Sequence, residues 1–223
     1  MCQCQLQVAS TFAQISPKQP EDAQGAGQSQ ELLLLVLLEE EVKDGTEMLG
    51  LLRSAMAHDG PFTIRYPRDT APDTPPPMAK IDAVPYATWE VLRHGSEYAI
   101  LAVGTMVNQS LAAADALKAE GLDVTVVNCR YLKPYDEVTL AAVLAHHKHI
   151  LVVEEGTVVN GFGAYMSTVI AKYDSSIKVV AHGVPDRVIH AAPRKRQLAL
   201  CGLDAAGIAD KVRALQETEA LAG

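Results

Sequence analysis

The regular alternation of apolar and amphipathic segments from residue 98 onward constrains the fold more than any other feature of the chain. Short runs rich in valine, isoleucine and leucine are typical of parallel strands that helices cover on both faces. Each run is followed, after a short connection, by apolar residues at helical spacing. The alternation predicts an α/β fold, a mostly parallel sheet with helices on both faces. The predicted strands are 98–103, 124–127, 150–153 and 178–181, and the predicted helices lie over 107–117, 136–145, from 163 onward, 194–201 and 204–221.

One more strand is predicted at residues 89–93, just ahead of the strand at 98–103. The intervening segment, residues 94–97, has the length of a hairpin turn and contains a glycine. The sequence therefore predicts one antiparallel strand at an edge of the sheet.

A helix and a strand are predicted ahead of this α/β region, within residues 44–69. Asp44 and Glu47 have the spacing of a capping box at a helix start, and apolar residues at helical spacing follow as far as Met56. A Gly-Pro pair ends the helix, and residues 62–66 are predicted to form a short strand.

Two segments have the composition of irregular structure. TAPDTPPP, which begins at residue 70, is proline-rich and typical of an extended linker, so we predict a domain boundary at 70–79 and an α/β domain at 80–223. Residues 1–43 lack a sustained period, which predicts a disordered or loosely packed leader. The apolar run at 32–38 is shorter than the roughly 20 residues of a membrane span, and no basic residues precede it as in a signal peptide.

The charge and cysteine content exclude several classes of function. A formal net charge of −8 argues against a nucleic-acid surface, and the one compact basic group, 194–196, is interpreted as a solvated helix start. Four cysteines do not form a disulfide framework in a chain of this length. Cys129 and Cys201 lie among apolar residues and are interpreted as core residues, whereas Cys2 and Cys4 have no further metal ligands nearby. These features favour a reducing, cytoplasm-like compartment.

Polar residues follow the predicted strand 150–153 at the edge where α/β proteins place functional groups. Glu154 and Glu155 are adjacent and point to opposite faces of a strand, so a capping role for the next loop is favoured over shared acid–base chemistry. The segment GFGAYM, 161–166, lacks the third glycine of a dinucleotide fingerprint because Met166 stands in that place. Its glycines are interpreted as allowing close packing at a helix start.

Other polar residues have structural interpretations. The segment 146–149 contains three histidines beside a lysine at a predicted helix end, where the helix dipole favours cations. His190 has no second metal ligand in view. Asp136 is predicted to cap a helix. Arg130 is predicted to pair with a carboxylate near the strand ends, in a role that is either structural or functional.

The segment TIRYPRD, residues 63–69, contains two arginines that flank a Tyr-Pro pair. A planar guanidinium group suits bidentate binding of phosphate or carboxylate, so Arg65 and Arg68 are candidate anion-binding residues. Arg65 alternates with Ile64 and Tyr66 on the predicted strand, which leaves its role open.

Six stretches of the chain resemble, in their order, the 1-deoxy-D-xylulose-5-phosphate synthase family of transketolase-like, thiamine diphosphate-dependent enzymes. No single motif decides the resemblance, but the ordered set is specific and covers roughly residues 44–213. The stretches are DGPFTIRYPRD at 59–69, AILAVGTMV at 99–107, VTVVNCRYLKPYDE at 124–137, LVVEEGTVVNGFG at 151–163, GVPDRVI at 183–189 and GLDAAGIADKV at 202–212.

The resemblance implies a transketolase C-terminal-like α/β domain at 80–223, preceded at 44–69 by a remnant of the family's pyrimidine-binding domain. Residues 1–43 do not resemble the family. The family's metal-binding segment and its cofactor-activating glutamate fall outside the resemblance. Thiamine diphosphate and magnesium are therefore expected to bind outside this chain, and no catalytic, cofactor-binding or metal-binding residue is assigned within it. Arg68 matches the family's arginine that binds the phosphate of glyceraldehyde 3-phosphate. After Pro-Asp-Arg the chain departs from the family's His-Gly pattern at Ala191 and Ala192.

The expected function is that of a C-terminal fragment of such an enzyme, inactive alone. The complete reaction converts pyruvate and glyceraldehyde 3-phosphate to 1-deoxy-D-xylulose 5-phosphate and CO2, a precursor for isoprenoids. The expected partners are the remaining domains or a homodimer partner, with no nucleic acid and no membrane, in the cytoplasm or in the plastid stroma of a photosynthetic eukaryote. Two alternatives remain open: a non-catalytic interaction or assembly module, and one half of a split transketolase.

Overall fold

The computed structural model of the chain describes residues 13–14, 38–67, 70 and 74–220. In the described part of the chain, no helix has both the length and the apolar character needed to cross a membrane. The strands are β1 (Ala13–Gln14), β2 (Leu38–Glu41), β3 (Phe62–Arg65), β4 (Glu90–Arg93), β5 (Tyr98–Ala102), β6 (Val124–Asn128), β7 (Tyr131–Lys133), β8 (His149–Thr157) and β9 (Lys178–Val184). The α-helices are α1 (Gly45–Ala57), α2 (Met106–Ala119), α3 (Glu137–Leu144), α4 (Phe162–Tyr173), α5 (Arg194–Cys201) and α6 (Ala205–Ala220).

Five strands form a mostly parallel sheet in the order β4-β6-β5-β8-β9. Strands β6, β5, β8 and β9 run parallel to one another, and β4 pairs antiparallel with β6 at the edge. The predicted fold class, a mostly parallel sheet with one antiparallel edge strand, is confirmed.

The edge strand β4 pairs with β6 and not with β5, so the hairpin predicted from the length of the 94–97 segment is wrong. Gly95 explains the path of the chain. A Cβ atom on Gly95 would lie 2.4 Å from the carbonyl carbon of Val124 and 2.5 Å from the Asp123 oxygen. The Gly95 N–H donates to the Thr125 hydroxyl at 2.7 Å. The segment therefore passes in close contact with the start of β6, and the chain then enters β5, the central strand of the sheet.

Helices bury both faces of this sheet. Along β5, Ala99 and Leu101 belong to a core cluster with side chains of α1, α3 and α4, whereas Ile100 and Ala102 belong to a second cluster with side chains of α2, α5 and α6. Alternate residues of a strand point to opposite faces. The apolar run of β5, which predicted a strand covered on both faces, thus contributes side chains to two hydrophobic cores.

A second sheet has the order β1-β3-β2-β7, with β2 parallel to β3 and antiparallel to β7. The expectation of loose packing is wrong for residues 38–43, because β2 is hydrogen-bonded between two strands and Val42 is buried. Composition alone misses this segment because its pairing partners lie far away in the sequence. Apart from residues 13–14, the rest of the leader lies outside the described residues.

Contacts cross the predicted linker. One core cluster contains Leu51 and Phe62 from before it and Trp89 and Tyr131 from after it. The Ser54 hydroxyl of α1 also donates to the Val84 carbonyl at 2.7 Å. The α1–β3 unit and the α/β domain therefore share a core, and the boundary at 70–79 stays a prediction.

Candidate functional site

The carboxyl ends of β5 and β8 meet where the strand order changes direction, since β6 lies on one side of β5 and β8 on the other. Crevices at such a switch point are where open α/β sheets bind ligands. Five charged residues from β2, β3, β8 and α5 converge here, and we call them the carboxyl-end cluster: Glu41, Arg65, Glu154, Glu155 and Arg194.

Glu154 caps helix α4. Its carboxylate oxygens accept hydrogen bonds from the backbone N–H groups of Phe162 at 3.0 Å and Gly163 at 2.8 Å. Burial raises the pKa of Glu154, and these hydrogen bonds together with the charge of Arg65 oppose that effect. The predicted capping role is confirmed for Glu154, which caps the start of α4 beyond the loop, and is wrong for Glu155, which binds Arg194 instead. The positive end of the α4 dipole thus already has a carboxyl partner.

The two glycines of the 161–166 segment allow close packing around this cap. A Cβ atom on Gly161 would lie 2.5 Å from either carboxylate oxygen of Glu154, and one on Gly163 would lie 2.7 Å from the Cβ of Ala181 in β9. The packing interpretation of these glycines is confirmed.

Glu155 binds Arg194 at the start of α5. The Arg194 Nε donates to Oε1 at 3.0 Å, Nη2 donates to Oε2, and the Thr105 hydroxyl donates to the same Oε2 at 2.9 Å. A two-point guanidinium–carboxylate pair fixes the orientation of both groups. The interpretation of 194–196 as a solvated helix start holds for the exposed Lys195 and Arg196 and is wrong for Arg194.

Glu41 and Arg65 lie side by side in the parallel β2–β3 register. The Glu41 side chain packs against Gly104, where a Cβ atom would lie 2.7 Å from Glu41 Cγ. Burial raises the pKa of Glu41 to about 7; the charge of Arg65 opposes the shift, and the charges of Glu155 and Glu154 add to it. Arg65, whose role the sequence left open, is thus a charge partner of two carboxyl groups.

A cleft of about 350 Å³ opens beside the carboxyl-end cluster. The first residues of three helices line it, namely Gly45 of α1, Met106 of α2 and Arg194 of α5, and Tyr66 and Pro67 line it just beyond β3. Helix N-termini present a partial positive charge. The start of α1 is already capped by Asp44, which accepts the Glu47 N–H at 2.7 Å and also lines the cleft, so the starts of α2 and α5 are the ones that favour an anionic occupant.

Arg68, the sequence-predicted phosphate ligand, lies outside the described residues. Its described chain neighbours lie at the cleft, because Pro67 precedes it and Thr70 follows Asp69, and both line the wall.

A polar network that sequence reasoning missed joins α1 to the α/β sheet. Lys43 Nζ donates to Glu47 and to Glu90, each at 3.1 Å, and Asn128 Nδ2 donates to Glu47 at 2.6 Å. The charge of Lys43 and its hydrogen bond lower the pKa of Glu90, although burial acts first in the opposite sense. Arg130, which was predicted to pair with a carboxylate, lies only within 4.0 Å of Glu90, and its guanidinium group donates instead to the carbonyl and the hydroxyl of Thr88, each at 2.8 Å.

The remaining candidates have structural roles. His147 is buried, with Nδ1 2.7 Å from the Val143 carbonyl and Nε2 2.9 Å from the Thr125 hydroxyl. Cys129 is buried in the core as predicted. Among the residues that the structure describes, no three His, Cys, Asp or Glu side chains converge to hold a metal ion. Cys2 and Cys4 lie outside the described residues.

Comparisons with known proteins agree with the fold and with the resemblance. The family model of the transketolase C-terminal domain matches residues 87–208. The 1-deoxy-D-xylulose-5-phosphate synthase of Synechococcus sp. (strain JA-2-3B'a(2-13)) is 35% identical over 182 residues, which are 81% of this chain and 28% of that protein. The Aquifex aeolicus (strain VF5) enzyme of the same name is 39% identical over 171 residues, 77% of this chain and 27% of that protein. The chain thus spans little more than a quarter of the length of these relatives.

Two solved structures share the fold. A split-gene transketolase, described as an inactive beta4 tetramer, has a TM-score of 0.72 and 26% identity, with 82% of this chain and 58% of that chain covered. A transketolase variant from Pichia stipitis has a TM-score of 0.57 at 16% identity, with 80% of this chain and 25% of that chain covered, and shows the fold alone.

Proposed function

The chain belongs to the transketolase C-terminal domain family, and we propose that it acts as the C-terminal part of a 1-deoxy-D-xylulose-5-phosphate synthase. The observation that carries the proposal is the identity to enzymes of that name, which extends over about four-fifths of the chain. The reaction joins pyruvate, after loss of CO2, to glyceraldehyde 3-phosphate. Because the relatives are several times longer, the chemistry depends on domains beyond the matched region.

Thiamine diphosphate and magnesium are proposed to bind outside the described residues. When bound, the cofactor supplies the carbanion chemistry and the protein positions it. Glu154 and Glu155 of the carboxyl-end cluster do not fit this role, because Glu154 accepts backbone N–H groups and Glu155 is bound to Arg194. No three potential metal ligands converge among the described residues.

The proposed contribution of the chain is to hold the acceptor substrate. Arg68 would bind the phosphate of glyceraldehyde 3-phosphate through its planar guanidinium group. Support comes from the cleft, since Tyr66, Pro67 and Thr70 on either side of Arg68 line it together with the first residues of three helices. The proposed partners are the remaining domains of the enzyme or a homodimer partner, and the proposed compartment is the cytoplasm or the plastid stroma.

We expect no transferase activity from this chain alone, because it matches only 28% of the length of its relative and its described residues contain no group of three metal ligands. The measurement is formation of 1-deoxy-D-xylulose 5-phosphate from pyruvate and glyceraldehyde 3-phosphate with thiamine diphosphate and magnesium present. The Aquifex aeolicus relative serves as the positive control. Reproducible product above a no-protein blank would contradict the proposal.

The split-gene transketolase neighbour favours a second candidate, one half of a split transketolase. The two candidates differ in how the parts assemble. A split half forms a stable complex when mixed with a separate chain that contains the cofactor-binding domains, which size-exclusion chromatography detects. The C-terminal part of a single-chain enzyme gains activity only when it is covalently joined to those domains.

A further inference from the structure

Strand β2 is an interior strand of its sheet and yet contains three consecutive glutamates, Glu39 to Glu41. All four of its residues pair with β3, and its other edge pairs with β7. Since side chains alternate along a strand, Glu40 points to the face opposite Glu39 and Glu41. Acidic side chains therefore face both sides of the sheet at this point.

Glu40 is fully buried, and among the residues that the structure describes neither of its carboxyl oxygens has a hydrogen-bond partner. Its cross-strand neighbours are Ile64 of β3 and Tyr131 of β7, so no cation faces it across either pairing. Glu39 is the nearby charge on its own strand. An isolated buried carboxylate is strongly disfavoured, and the group remains protonated instead. Burial raises the pKa of Glu40 to about 9, and the charge of Glu39 adds to the shift.

Glu41 lies in the carboxyl-end cluster and faces charges from two neighbouring strands. Arg65 of β3 favours its ionised form, whereas Glu154 and Glu155 of β8 oppose it. Arg194 of α5 is engaged by Glu155. Below about pH 7 the docked strand therefore holds a second proton on Glu41, one residue away from Glu40.

We propose that β2 is a proton-dependent latch, which stays between β3 and β7 while Glu40 and Glu41 are protonated and leaves the sheet as they ionise. Residues 42–45 directly follow β2 and line the cleft. Release of β2 would therefore free one wall of the cleft. The latch rests on the burial and charges described here, and only its effect on the acceptor substrate rests on the proposed function.

The direction of the pH effect follows from the sign of the shifts. Both pKa values are raised above 4.5 in the docked strand, to about 9 for Glu40 and about 7 for Glu41. Docking of β2 therefore takes up protons. The docked strand has its full stability below pH 4.5, the pKa of both carboxyl groups in the unfolded chain, and loses that stability as the pH rises. Above about pH 7 one proton, that of Glu40, still leaves on opening. The opening equilibrium then rises about tenfold per pH unit.

Amide hydrogen exchange on the complete chain tests the latch between about pH 6 and about pH 8.5, with protection factors corrected for the intrinsic exchange rate. We expect protection at 38–41 to fall about tenfold per pH unit above about pH 7. Glu40→Gln should abolish this slope, and Glu41→Gln should reduce the slope below about pH 7. Glu39→Gln is the matched control on the same strand and should keep both slopes. Amides of β6 and β8 should show no such dependence.

Constant protection of residues 38–41 in the wild-type chain across this range would overturn the latch. Retention of the slope in the Glu40→Gln, Glu41→Gln double variant would do so as well. The experiment reads amide exchange and not turnover. Failure of the latch therefore leaves the proposed function standing, and loss of the proposed function leaves the exchange result unchanged.

Discussion

Replacement of Arg68 by alanine in a complete homologous enzyme is expected to raise the KM for glyceraldehyde 3-phosphate roughly ten- to hundredfold, since a hydrogen bond to a charged group contributes about 1.5–3 kcal/mol. Pyruvate has no phosphate, so its KM should not change. The substitution is made in a chimera in which residues 44–213 replace the matching segment of the Aquifex aeolicus relative. Steady-state kinetics with each substrate varied in turn give both constants.

Two further variants control this prediction. Arg68→Lys should recover only part of the loss, because an ammonium keeps the charge and lacks the planar fork. Arg196→Ala removes an exposed arginine of α5 and should change neither KM. If Arg68 only pairs with a carboxylate such as Asp69, Arg68→Ala would lower the thermal stability and leave both KM values as they were.

Glu40→Gln is expected to raise the free energy of unfolding by about 3 kcal/mol at pH 7. In the folded wild-type chain this carboxyl is protonated, whereas in the unfolded chain it ionises with a pKa of 4.5. Above pH 4.5, the uptake of this proton on folding therefore lowers the free energy of unfolding by about 1.4 kcal/mol per pH unit. The amide is uncharged at every pH. Denaturant unfolding monitored through Trp89 measures the difference.

The increase in the free energy of unfolding should depend on pH, because it comes from the ionisation of Glu40 in the unfolded wild-type chain. It should fall below about 1 kcal/mol at about pH 5, near the unfolded pKa, and grow with increasing pH up to about pH 9. Glu39→Gln, on the partly exposed neighbour, should give no comparable gain. A stabilisation that is equal at both pH values, or a loss of stability at pH 7, would show that Glu40 does not hold a proton in the folded chain.

The strands and helices of the parallel sheet could be predicted because their signals are local. The apolar residues 124–127 lie within β6, and Asp136 caps α3 as predicted, with Oδ1 accepting the Thr139 N–H at 2.9 Å. Glu47 accepts the backbone N–H of Lys43 at 2.9 Å in a variant of the predicted capping box. Each of these features depends on residues only a few positions apart.

The pairing of strands and the composition of the site could not be predicted in the same way. The edge pairing of β4 with β6, and the position of β2 between β3 and β7, depend on segments that are remote in sequence. Likewise, the sequence around Glu155 indicates only a capping role for the next loop, because its partner Arg194 lies 39 residues away. The basic residues 194–196 were predicted to be solvated because no carboxylate lies near them in the sequence. The fold brings Glu155 next to Arg194.

The central claim is that this chain supplies the C-terminal part of a 1-deoxy-D-xylulose-5-phosphate synthase. The most direct test is the rate of CO2 release from carboxyl-labelled pyruvate by the Aquifex aeolicus chimera, measured with and without glyceraldehyde 3-phosphate. We predict release that depends on glyceraldehyde 3-phosphate and yields 1-deoxy-D-xylulose 5-phosphate. A chimera with the parent's oligomeric state and circular dichroism spectrum, but with no release that depends on glyceraldehyde 3-phosphate, would contradict the claim.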